Sequence, residues 1–175
     1  MDNINLIGYR CSGKSSVGRQ LAEVLRRPFV DADLVFVEQE ACSVADFVAA
    51  SGWPEFRRVE SRILSRLCRK QKIVLATGGG VVLESENRRC LKESGLNFWL
   101  QIEPETVLSR LTADAQSTSQ RPPLSSLAPA AEISAALKER EPFYREIADY
   151  EIPVDKLSVA EIVTRILYYY RDRRV

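Results

Sequence analysis

Short apolar runs alternate along the chain with longer stretches of helical period, and that alternation predicts an α/β domain built on a mostly parallel sheet. Five runs read as strands: Ile4 to Ile7, Pro28 to Val30, Lys72 to Thr77, Leu96 to Ile102 and Tyr150 to Val154. Each carries β-branched or aromatic residues and is short enough to be buried on both faces. Between them, Val17, Leu21, Val24 and Leu25 form one helical face, and Ile63, Leu64 and Leu67 another. Ile162, Ile166, Leu167 and Tyr170 line a last helix that runs into the charged RDRR, read as a solvated helix end. The stretch Asp114 to Leu127 breaks the pattern. It has two prolines, many hydroxyls and few large apolar side chains, which predicts a mobile surface loop of the kind that serves as a lid.

Composition narrows the class. A chain of 175 residues, 45% hydrophobic and 28% charged, suits one compact domain spanning residues 1–175 and excludes a disordered or fibrous chain. Against 25 Lys and Arg stand 24 Asp and Glu, so bulk charge argues for neither nucleic acid nor a membrane surface as partner. With no His anywhere, imidazole is removed as general base and as metal ligand, and chemistry must rest on Asp, Glu, Lys, Arg or Cys. Cys11, Cys42, Cys68 and Cys90 form no CxxC pair, which fits free thiols in a reducing compartment better than a zinc site or a disulfide scaffold. Acidic Asp2 stands where a signal peptide would be basic, and no stretch approaches the roughly 18 apolar residues of a membrane span. The expectation is a soluble, cytoplasmic protein.

The chemistry begins directly after the first strand. Gly8-Tyr9-Arg10-Cys11-Ser12-Gly13-Lys14-Ser15 satisfies G-x-x-x-x-G-K-[ST] and opens an amphipathic helix. Such a loop turns N–H groups from Gly8 through Ser12, Gly13 and Ser16 around phosphate oxygens. Lys14 reaches the β- and γ-phosphates, and the Ser15 hydroxyl ligates Mg²⁺. After the second strand stands Asp31-Ala32-Asp33, and in extended geometry both carboxylates project the same way, toward the sheet edge where ligands bind. One could serve magnesium and the other accept the proton of an attacking hydroxyl; the alternative is that one of them caps a helix.

Three further motifs are weaker alone. In Phe56-Arg57-Arg58-Val59-Glu60, Arg57 and Glu60 are i,i+3 neighbours able to pair, a pattern that a solvated helix face also shows. Thr77-Gly78-Gly79-Gly80 permits backbone geometries closed to other residues and close approach of a ligand, or is a flexible turn. Arg110, Arg121, Arg140 and Arg145 lie in or beside the polar segment, where a mobile guanidinium could neutralise charge on a transferred phosphoryl group or simply be solvated.

The ordered set GYRCSGKSS, DAD, FRRVE, TGGG, RPPL and REPFY, spread over nearly the whole chain, resembles the shikimate kinase family of the nucleoside-monophosphate-kinase-like P-loop fold. The resemblance implies a three-layer fold with a five-stranded parallel sheet, a substrate-binding region near residues 33–62 and a lid near 114–127. It implies a monomeric enzyme that moves the γ-phosphoryl of MgATP to the 3-hydroxyl of shikimate in aromatic amino-acid biosynthesis, with Mg²⁺ as cofactor. By the same resemblance Lys14 and Ser15 bind phosphates and metal, Asp31 sits in the metal's outer shell, and Asp33 grips the reacting hydroxyl. Arg57 and Arg140 clamp the substrate carboxylate, Glu60 holds Arg57, and Gly79 and Gly80 offer backbone amides. Arg110 stacks near adenine, and Arg121 is the catalytic lid arginine. The sequence departs from the family at Cys11, commonly Gly, at Pro123, usually Leu, and in a longer stretch between Arg110 and Arg121. The other readings are a P-loop kinase for gluconate or a nucleoside monophosphate, and a nucleotide-binding module without turnover.

Overall fold

The structure, a computed structural model, describes residues 3–113 and 128–172. Its elements run β1 (Asn3–Ile7), α1 (Lys14–Leu25), β2 (Phe29–Asp31), α2 (Ala32–Glu40), α3 (Val44–Cys68) and β3 (Val74–Ala76). A 3-10 turn (Val81–Leu83) then leads to α4 (Ser85–Ser94), β4 (Gly95–Gln101), α5 (Pro104–Ala113), α6 (Pro129–Ile147), β5 (Tyr150–Pro153) and α7 (Val159–Asp172). All five expected strands form, and they pair in parallel in the order β2-β3-β1-β4-β5. The expected lid, residues 114–127, lies outside the described residues, as do Arg121 and Pro123.

Both faces of the sheet are covered, and the period-2 alternation of the strands assigns side chains to two cores. Ile4 and Leu6 of β1, with Leu96, Phe98 and Leu100 of β4, pack with Val17 and Leu21 of α1 and Ile162, Val163 and Ile166 of α7. On the opposite face Ile7, Leu75 and Trp99 meet Phe36, Ile63, Leu64, Leu67 and Tyr144. Between the two apolar sets, Asn5 donates to Asn97 Oδ1 at 3.1 Å and to the Leu91 carbonyl at 3.2 Å, which fixes α4 against β1 and β4.

One expectation about the helices needs correction. Val24 is 52% exposed rather than part of the α1 core face, because Leu21, Ala22 and Leu25 already fill the arc that meets the sheet. The long α3 is broken at Gly52 (φ 77°, ψ 166°), just before Pro54, so Trp53, Phe56 and Arg57 sit on a segment whose axis departs from that of residues 44–51. Among the described residues no helix is long and apolar enough to cross a membrane.

Candidate active site

The phosphate loop joins β1 to α1. Gly8 (φ 140°) could not carry a Cβ, which would lie 2.6 Å from the Leu100 carbonyl oxygen, and Gly13 (φ 91°) turns the chain into the helix. Among the described residues no side chain caps that N-terminus, so the first N–H groups of α1 face a cavity lined by Arg10 through Val17. Lys14 is folded back over the loop, donating to the carbonyls of Gly8 (2.8 Å) and Tyr9 (2.7 Å). Cys11 stands at φ 63°, the left-handed region that a Gly at that position enters without strain. Arg110 reaches across from α5 and donates to the Cys11 carbonyl at 2.8 Å and to that of Val154 at 3.4 Å. Leu157, Val159 and Ile162 give the cavity an apolar end beyond Arg110.

Ser15 Oγ donates to Asp31 Oδ2 at 2.5 Å. The other Asp31 oxygen accepts the Asp33 N–H at 3.0 Å, so Asp31 is also the N-cap of α2. The chain turns helical at Ala32, so the extended spacing expected for the two carboxylates does not hold. Instead β2 delivers Asp31 to the phosphate loop, while the first turn of α2 carries Asp33 sideways to the boundary with a second cavity.

That second cavity lies between α3, the glycine triplet and α6. Arg57 pairs with Glu60 at 2.5 Å, its guanidinium 5.3 Å from the Trp53 ring and 5.2 Å from Phe56. Glu60 is buried, and burial pushes its carboxyl above the usual range; Arg57 works against this shift and Asp33 adds to it. From α6, Arg140 donates to the Gly79 carbonyl at 3.3 Å, a carbonyl that also accepts the Tyr144 hydroxyl at 2.5 Å. Burial raises the Tyr144 phenol well above its ordinary value. Arg140 has no carboxylate partner among the described residues, and its buried Nε has no hydrogen-bond acceptor.

Two glycines of the triplet have a steric reason that the sequence does not display. None of Gly78, Gly79 and Gly80 has a positive φ. A Cβ on Gly80 would fall 2.3 Å from Arg57 Nη2, and one on Gly78 would fall 2.5 Å from Glu60 Oε1. The absent side chains make room for the Arg57–Glu60 pair.

The fold therefore brings Ser12, Gly13, Lys14, Ser15, Ser16, Asp31 and Arg110 to one cavity, while Gly8 starts the loop without lining it. Arg57, Glu60, Gly79, Gly80 and Arg140 gather at the other, with Asp33 in the wall of both. Arg145 takes no part: it pairs with Glu141 at 2.9 Å on an exposed face of α6. Sequence reading missed Tyr9 and Arg10, variable positions inside the loop motif, and Glu132, whose signal was hidden in an alanine-rich helical run. Arg10 bonds Glu132 at 3.0 Å and also lines both cavities.

A family model described as shikimate kinase matches residues 10–171. The shikimate kinase of Symbiobacterium thermophilum is 41% identical over 171 residues, covering 98% of this chain and 97% of that one. The enzyme of the same name from Oleidesulfovibrio alaskensis is 44% identical over 152 residues, covering 87% and 88%. Among solved structures, a shikimate kinase from Acinetobacter baumannii in complex with shikimate superposes with a TM-score of 0.93 at 31% identity, covering all of this chain and 96% of that one. With two adjoining cavities, a phosphate loop and a matching fold, the chain belongs to the shikimate kinase family.

Proposed function

We propose that this single-domain chain binds MgATP at the phosphate loop and shikimate in the neighbouring cavity, and transfers the γ-phosphoryl to the 3-hydroxyl, giving shikimate 3-phosphate and ADP. One observation carries the reading: Asp33 stands in the wall common to both cavities, where an acceptor hydroxyl would meet the terminal phosphate. Asp33 orients that hydroxyl and takes its proton as the O–P bond forms. Lys14 leaves its loop carbonyls for the phosphates, and the bare N-terminus of α1 supplies N–H donors. Arg140, which lacks a carboxylate partner among the described residues, and Arg57, steadied by Glu60, take the acceptor's carboxylate, a planar anion that guanidinium forks match. Arg110 fixes the loop at Cys11 and borders the apolar end suited to adenine.

Ser15 Oγ and Asp31 Oδ2 converge as hard oxygen donors beside the phosphate site, a set that fits Mg²⁺, which takes few protein ligands and completes its shell with water and phosphate. When bound, the ion neutralises charge on the β- and γ-phosphate oxygens. On this reading the enzyme is a cytoplasmic monomer acting on small molecules alone, in keeping with a formal net charge of only +1. The test is a coupled ADP-release assay with shikimate, gluconate and nucleoside monophosphates offered separately. ADP should appear only with shikimate. Turnover on another acceptor would assign the chain to a different small-molecule kinase, and nucleotide binding without acceptor-dependent ADP would make it a binding module.

A further inference from the structure

Three guanidiniums, those of Arg10, Arg57 and Arg140, line a cavity whose acceptor carries one carboxylate. Arg57 and Arg140 flank the glycine triplet, the first close to Gly80 and the second bonded to Gly79. Arg10 is placed differently. It belongs to the phosphate loop, and among the described residues only Arg10 and Asp33 line both the nucleotide cavity and the acceptor cavity. On the shikimate kinase reading, a charge there would lie on the side of Asp33 and the acceptor oxygen rather than of the carboxylate.

Its orientation is held from two sides. The guanidinium lies 5.5 Å from the ring of Tyr9, and the Arg140 guanidinium lies 5.3 Å from the same ring. Nη2 donates to Glu132 Oε1 at 3.0 Å. Glu132 is 5% exposed, and a carboxylate so buried is strongly destabilising unless paired, so this contact is not one of the freely forming surface pairs. The Arg10 Nε is buried with no hydrogen-bond acceptor among the described residues, so the fork retains donor capacity after Glu132 is served.

Phosphoryl transfer changes what this corner must hold. Before reaction the acceptor presents a neutral hydroxyl; afterwards it carries a phosphate, while the bond to the ADP oxygen is broken and the hydroxyl proton has gone to Asp33. Lys14 and the α1 N-terminus serve the phosphates from the nucleotide side. We infer that Arg10 is the donor that meets the transferred phosphoryl group on the acceptor side, and that Glu132 is the positioning residue that keeps its guanidinium there. The inference rests on the shikimate kinase reading of the site.

Calorimetric titration with shikimate and, separately, with shikimate 3-phosphate tests it, alongside forward kinetics. Arg10→Gln should weaken shikimate 3-phosphate at least tenfold while shikimate changes less than threefold, and should lower kcat at least tenfold with little change in shikimate KM. Arg10→Lys, which retains the charge and the pairing but not the fork, should lose three- to tenfold on shikimate 3-phosphate, and it decides the matter should the Gln variant not melt cooperatively. Glu132→Gln should lower kcat about threefold, and by nothing further in an Arg10→Gln background, since Glu132 acts through Arg10. If folded Arg10 variants weaken both ligands equally or neither, Arg10 and Glu132 form a structural ion pair and the inference is overturned. Failure of the unmodified protein to bind either ligand would instead overturn the shikimate kinase reading itself.

Discussion

Replacing Gly80 by Ala tests the acceptor cavity with a single methyl group. The backbone there (φ −105°, ψ −2°) is open to any residue, so the substitution introduces no conformational strain of its own. Its Cβ would sit 2.3 Å, 2.4 Å and 2.5 Å from Nη2, Nη1 and Cζ of Arg57, distances no real contact sustains. The guanidinium is the far end of a flexible side chain and must swing away, loosening its pairing with Glu60. A charge-assisted hydrogen bond contributes about 1.5–3 kcal/mol, so losing the Arg57 fork should raise the shikimate Kd by roughly one to two decades. Leaving buried Glu60 short of its partner should lower stability by about 1–2 kcal/mol, roughly 2–8 °C in Tm for a domain of this size. The ATP site shares no atom with this clash, so nucleotide affinity should hold within about threefold. Calorimetry with each ligand and a melting curve measure all three quantities. A folded Gly80→Ala protein with unaltered shikimate affinity, or with equal losses toward both ligands, would falsify the proposed clamp.

Three other perturbations address separate parts of the site. Asp33→Asn is nearly isosteric, so melting should be little affected, yet turnover should drop by about two decades or more; near-normal turnover would remove Asp33 from proton transfer. Burial holds the Glu60 carboxyl above its ordinary 4.5, so the folded state binds more protons than the unfolded one through that window. The stability of the unmodified protein relative to Glu60→Gln should therefore fall as pH rises from about 4.5 through the folded-state value, and urea unfolding across that range reading the opposite slope would contradict the assignment. At Cys11, relief of roughly 1 kcal/mol of left-handed strain by Gly is partly cancelled by the freer unfolded chain, while Val at that φ should cost about 1–2 kcal/mol. Melting temperatures should rank Gly at or above Cys and Cys above Val; Val matching Cys would place no conformational demand on that position.

The strands and the phosphate loop were legible because their causes are local. Apolar-rich runs at Ile4 to Ile7 and Leu96 to Ile102, broken only by Asn5, Asn97 and Gln101, point to a sheet covered on both faces, and the Gly8 to Ser15 spacing follows the phosphate-loop pattern. Legibility failed where the cause came from elsewhere in the chain. Period-2 reasoning across Asp31 and Asp33 did not register that β2 stops at the first of them, since a three-residue strand leaves little pattern to read. Gly78 and Gly80 answer to Glu60 and Arg57, about twenty residues away, and no property of Thr77 to Gly80 alone reveals that. Arg10 was hidden because a motif marks the positions it specifies and not those between them, while Glu132 acquires meaning only through a partner on the far side of the fold.

The strand order has a consequence for how such an enzyme could change its acceptor. Residues 32–73 leave the sheet at the end of β2 and return at β3, two strands that are hydrogen-bonded neighbours, so this whole stretch is a single excursion between adjacent slots. It supplies Asp33, Val44, Trp53, Phe56, Arg57 and Glu60 to the acceptor cavity, whereas the nucleotide cavity takes from it only Asp33. Lengthening, rotating or exchanging the excursion would redraw the shape offered to the acceptor while β1, α1 and the loop joining them kept their register with β3 and β4. Donor and acceptor recognition would thus be separately editable in the chain, the excursion meeting the nucleotide cavity at Asp33 and the phosphate loop meeting the acceptor cavity at Arg10.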